Sequence, residues 1–107
     1  MLPIRRSNCS QIQNPDEMRK PRTNPDLIPV VVDEMVRWVS PVKHFFRTST
    51  ETYTLRGKTI RPGDHLLMAH PSANRDDDAF EHPFSFIADR TPNRDVGFGF
   101  GIHACIG

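Results

Sequence analysis

Apolar positions change their period twice along the chain. Between Asp26 and Val39, the residues Ile28, Val31, Val32, Met35 and Val39 recur at three- and four-residue spacing. That spacing lines one face of an α-helix. Pro29 suits its first turn, and Pro41 ends it, because the residue before a proline avoids the helical region. Asp33, Glu34 and Arg37 lie off the apolar stripe. A shorter helix is predicted over 14–20, where Asn14 can cap, Pro15 fits the first turn and acids precede bases along the helix dipole. Pro21 is expected to cut it short.

From Lys43 to Ala69 the pattern turns to strands. Lys43 to Thr50 is rich in aromatic and β-branched residues. Tyr53-Thr54-Leu55 and Thr59-Ile60 flank a tight-turn signal at Arg56-Gly57-Lys58, and Pro62-Gly63-Asp64 makes a second turn before His65 to Ala69. Three or four short antiparallel strands are expected. A short helix is predicted around Ala73 to Phe80, then a meander from Glu81 to Val96 broken by Pro83, Pro92 and Asn93. So long an irregular stretch is unusual unless it has a function. Residues 1–13 carry no useful periodicity and read as a tail. The class is α+β.

Composition narrows the function. A chain of 107 residues, with 36% hydrophobic and 25% charged positions, is one domain or a piece of one. Its ten prolines favour short elements. Fourteen basic and thirteen acidic residues leave a formal charge of +1. That balance gives no electrostatic reason to expect nucleic acid or an anionic membrane as partner. The longest apolar run, Leu27 to Val32, is far short of the ~20 residues that cross a bilayer. No secretory signal follows Arg5 and Arg6, so a cytoplasmic location is expected, with Cys9 and Cys105 unpaired.

The chemistry concentrates in the last ten residues, Phe98-Gly99-Phe100-Gly101-Ile102-His103-Ala104-Cys105-Ile106-Gly107. A single cysteine lies in a glycine-punctuated loop, and glycine lets the main chain approach a flat cofactor closely. The order F-G-x-G-x-H-x-C-x-G resembles the haem-binding loop of the cytochromes P450, whose iron is held by a cysteine thiolate. The resemblance implies haem b, with Cys105 as the iron ligand and Phe98 and Gly99 shaping the loop around the sulfur. It further implies that Arg47, in Phe45-Phe46-Arg47-Thr48, and His103 meet the two propionates.

Glu34 and Arg37 share one helix face, and by spacing alone an exposed ion pair is as good a reading as a buried one. The P450 family carries an E-x-x-R pair on this helix, completed by an arginine of the meander, here Arg90. The resemblance implies a buried structural network of the three that locks helix to loop. Pro71-Ser72-Ala73-Asn74-Arg75-Asp76 is similar to a segment of soluble bacterial members, as is the approach from Asn14-Pro15-Asp16 to Pro29. The likeness therefore covers 14–107, the C-terminal portion of a P450 domain truncated at both ends. It implies a partial P450 fold: the E-x-x-R helix, a small antiparallel sheet, the meander and the cysteine-ligand loop.

The resemblance implies a monooxygenase acting on a small hydrophobic substrate, of terpenoid or steroid type from residues 34–49, with Val42 and Phe45 at the pocket edge. Electrons would come from NAD(P)H through a ferredoxin- or flavodoxin-type partner. The sequence contains no A-G-x-[DE]-T-T segment, which in the family lies over the haem, so the isolated chain is expected to be inactive. Two alternatives stay open: a non-enzymatic zinc module built on His103, Cys105 and other histidines, although paired cysteines are missing, and an inactive remnant.

Overall fold

Asn24 opens the main helical segment: its side chain accepts a hydrogen bond from Asp26 N at 3.3 Å and caps a short 3₁₀ turn, Pro25–Leu27. Helix α2, Ile28–Val39, follows without a break. It ends at Ser40, whose left-handed backbone (φ 43°) turns the chain toward Pro41. In this computed structural model the described residues are 13–106, so the expected tail lies outside them except for Gln13, as does Gly107. Ahead of α2 lies helix α1, Arg19–Thr23. After it come strands β1 (His44–Thr48), β2 (Tyr53–Leu55), β3 (Lys58–Ile60) and β4 (His65–Ala69), helix α3 (His70–Ala73) and a 3₁₀ turn at Gly101–His103.

The strands form two antiparallel pairs. β1 pairs with β4, His44 opposite Ala69 and Thr48 opposite His65, and β2 pairs with β3, Tyr53 opposite Ile60. The β2–β3 connection is the Arg56-Gly57 turn, both residues at positive φ, which matches the twist of a tight hairpin. The apolar side chains of these ribbons are largely uncovered: Phe45, Phe46, Tyr53, Leu55, Leu67 and Met68 are all exposed.

Two helical expectations need correction. Pro21 does not end the first helix but lies in it, as the third residue of α1, and the chain before it runs through turns. In the first helical turn a backbone N–H has no intrahelical acceptor, so proline removes nothing there. The helix expected at Ala73 to Phe80 ends at Ala73 instead. Beyond it Asp76 gathers local bonds: its carboxylate accepts from Asp78 N and its carbonyl from Ala79 N and Phe80 N, which favours turns.

The buried face of α2 also differs from its apolar stripe. Val31, Glu34 and Arg37 are buried, while Ile28 and Val32 are about half exposed, at 52% and 50%. The small core consists of Val31, Phe86 and Ala88, with Met18, Leu27, Met35 and Trp38 packed against it. Trp38 meets Phe86 edge-on, ring centroids 6.0 Å apart. Hydrophobic period fails to find this face because its largest buried side chains are charged and fully hydrogen-bonded.

Candidate functional site

The irregular chain after α3 is held by a charged network on α2. Glu34 and Arg37 are both fully buried, and Arg90 nearly so. Arg37 Nε and Nη2 donate to the two carboxylate oxygens of Glu34 at 2.7 and 2.8 Å. Its remaining N–H groups donate to the carbonyls of Asn74 (2.7 Å), Pro83 (2.9 Å) and Ser85 (3.0 Å). A guanidinium has five N–H donors, and all five are used. Arg90 Nε completes the carboxylate's charge pairing at 3.0 Å, while its Nη groups donate to the carbonyls of Glu81, His82 and Ser85. Ile87 N and Asn93 Nδ2 also donate to Glu34. One acidic and two basic side chains thus replace the backbone partners that a meander lacks.

Asn74 carries the same clamp toward the cysteine loop. Its Nδ2 donates to Ser40 Oγ at 2.9 Å, and its Oδ1 accepts from Val96 N at 2.8 Å. Next to it, Gly97 passes close under α2. A Cβ there would stand 2.6 Å from Val36 Cγ1 and 3.0 Å from Val36 O, so only glycine lets the loop and helix come this near. Gly99 and Gly101 take positive φ (84° and 75°), and the loop closes through Cys105 N donating to Phe98 O at 2.9 Å.

A hollow of about 290 Å³ opens between the loop, the β1–β4 ribbon and α3. Phe45, Met68, Ala69, Ala73, Val96 and Phe100 give it apolar walls, and Arg47, His70 and His103 add polar groups. Of the residues singled out from the sequence, Arg47, Gly99, His103 and Phe45 line this hollow; Phe98, Cys105 and Val42 do not. Cys105 is an exposed free thiol. Phe98 is 46% exposed, and its recorded link to Cys105 is through the backbone. Arg47 lies over the ring of Phe45, 5.6 Å from its centre.

Two electrostatic features flank the network. Lys20 Nζ bridges Glu17 Oε2 (2.9 Å) and Asp89 Oδ1 (2.7 Å). These bonds raise the Lys20 ammonium above its ordinary range and lower the Asp89 carboxyl. Asp95 is pushed up by burial, which outweighs the hydrogen bond it receives from Gly97 N. Sequence reasoning missed the roles of Asn74, Ser40, Gly97, Lys20 and His70. Asn74 had a signal, since it lies in the quoted S-A-N-R-D segment; for the others periodicity carries none.

Among the described residues no group of three or more His, Cys, Asp or Glu is placed to hold a metal ion, and no helix is long and apolar enough to cross a membrane. A cysteine loop, a charged helix–meander clamp and a small antiparallel ribbon together make a partial fold of the cytochrome P450 type. The chain belongs to the cytochrome P450 family, whose model matches residues 15–107. It is 45% identical over 95 residues to cytochrome P450-terp of a Pseudomonas species, covering 89% of this chain and 22% of that protein. Over 82 residues it is 44% identical to a steroid C26-monooxygenase of Mycolicibacterium smegmatis, covering 77% of this chain and 20% of the relative. A cytochrome P450 of Mycobacterium marinum, solved with pseudoionone, superposes at TM-score 0.93 with 36% identity, over 96% of this chain and 25% of that one. The chain therefore spans about a fifth of the length of these curated relatives. The family comprises haem-iron oxidoreductases that draw electrons from redox partners, and the partial P450 fold expected from the sequence agrees with these matches.

Proposed function

We infer that this chain forms the thiolate side of a haem b site in a cytochrome P450 monooxygenase. The observation that carries the reading is the hollow beside the cysteine loop, with apolar walls and with Arg47 and His103 at its border. A flat macrocycle with two carboxylates fits that combination, since apolar atoms meet apolar walls and an anionic edge meets cationic or donor groups. Cys105, exposed on a loop free of disulfides, is available as the ligand. Haem bound there supplies oxygen activation, promoted by electron density from the thiolate.

The residues of this chain bind and orient. Gly99 and Gly101 set the course of the loop, Phe98 flanks it, and Arg47 and His103 hold the carboxylate edge. Glu34, Arg37 and Arg90 fix the meander so that the loop keeps its position. In the whole protein one atom of dioxygen enters a substrate C–H bond and the other leaves as water, with electrons from NAD(P)H through a ferredoxin- or flavodoxin-type partner. The substrate class supported by relatives named for steroid oxidation or solved with pseudoionone is a small terpenoid or steroid-like molecule. Phe45 at the hollow would meet it or the cofactor edge. The exposed apolar faces of Ile28, Val32, Phe46 and Leu67 are surfaces for the rest of such a fold. A cofactor with one wall lacks shielding from water, so residues 1–107 alone bind haem without productive turnover.

The test is spectroscopic. The chain is loaded with haemin, reduced under carbon monoxide and scanned. A strongly red-shifted Soret band that disappears in Cys105→Ala is expected. An unshifted band in the unmodified chain overturns the assignment of Cys105.

A further inference from the structure

The imidazole of His70 makes no hydrogen bond, although the residue is only 4% exposed. Its Nδ1 is buried without a partner. Buried polar atoms are nearly always satisfied in native proteins, so this ring points to a missing ligand or water. His70 borders the same hollow as Arg47 and His103.

The ring is held in place by its surroundings. His70 N donates to Lys43 O at 3.2 Å, and its carbonyl accepts from Asn74 N at 2.9 Å. The imidazole packs against Phe45, ring centroids 5.6 Å apart, and the Arg47 guanidinium lies over that same ring. Arg47 and His70 are therefore neighbours through Phe45, and His103 lines the same hollow. Three groups able to donate converge on one hollow, and an anionic oxygen is the partner that uses all three.

We propose that His70 is a third polar anchor for the carboxylate edge of the cofactor, donating through an imidazole N–H directly or through one water. The inference rests on the haem reading above. The test uses the whole polypeptide reconstituted with haem, and reads the rate at which haem is lost to an excess of an apo-globin. His70→Phe keeps an aromatic ring against Phe45 but removes the donor, and His70→Gln returns a side-chain N–H donor. Haem loss from His70→Phe should be roughly tenfold faster or more, with His70→Gln close to the unmodified protein. Esterifying both propionates of the haemin should erase the difference between His70→Phe and the unmodified protein, which a packing role would leave intact. His70→Leu carries the same comparison if the larger ring does not fit. Equal loss rates with free-acid haemin, or a difference that survives esterification, overturn the proposal. Failure of the unmodified protein to give the thiolate spectrum overturns the haem reading and this inference together, and is told apart because no variant is then needed to see it.

Discussion

Replacing Glu34 by Gln removes one charge from the centre of the clamp and changes almost no volume. The carboxylate pairs with two guanidinium groups and accepts five hydrogen bonds, two at Oε1 and three at Oε2. Whichever way the new amide lies, its NH₂ faces donors, and two buried cations lose their counter-charge. Breaking a buried ion pair from one side costs about 3–5 kcal/mol. A domain has only ~5–15 kcal/mol in total. With a urea dependence of about 1–3 kcal/mol per molar, the midpoint should fall by roughly 1–5 M. Trp38 reports the transition by fluorescence: it is the chain's single tryptophan and packs on Phe86 beside Arg37 and Arg75. Arg37→Lys should also be severe, since an ammonium offers three donors to five acceptors. The internal control is Arg56→Ala, which breaks an exposed pair with Asp78 at 3.2 Å and should change stability by less than about 1 kcal/mol. If Glu34→Gln costs no more than that control, the clamp does not hold the meander and the reasoning fails.

Three further outcomes are expected. Burial raises the Asp95 carboxyl, so the folded state holds its proton to a higher pH than the unfolded chain; stability falls as pH rises from the ordinary value of 3.8 through the folded one. Asp95→Asn, which keeps an acceptor for Gly97 N, should flatten that slope and raise stability at neutral pH, and pH-dependent urea midpoints check this. Gly97→Ala should destabilise by about 1–3 kcal/mol as the new methyl meets Val36, and combining it with Val36→Ala should recover part of the loss, read from urea midpoints. The Lys20–Asp89 bridge is partly exposed, and a double-mutant cycle with alanines should give a coupling of about 0.2–1 kcal/mol that shrinks in high salt.

The helix α2, the four strands and both tight turns were legible because period and turn chemistry are local. Arg56-Gly57 and Pro62-Gly63 mark their turns from sequence alone. The burial of Glu34 and Arg37 was not legible from period, which points to Ile28 and Val32 instead; it followed only from the family resemblance, because the partners of Arg37 lie up to 48 residues away. The helix misplaced at Ala73 to Phe80 shows the opposite limit: three aspartates suit a helix start, yet Asp76 spends its oxygens on nearby N–H groups. Among the residues lining the hollow, Gly99 and His103 could be named from the loop motif and Arg47 from the family resemblance. His70 could not, because its significance lies in a buried Nδ1 without a partner, which only the folded ring reveals.

Arg37 and Arg90 take hold of Glu81, His82, Pro83 and Ser85 by their carbonyls alone. Every amino acid offers that same oxygen, so the identities of the outward-facing Glu81 and Ser85 are free to drift, whereas the left-handed backbone of His82 (φ 48°) restricts that position. Chain length is not: one residue inserted or deleted there would shift each oxygen off its mark. Variation in this stretch should therefore alter spelling and leave the syllable count alone.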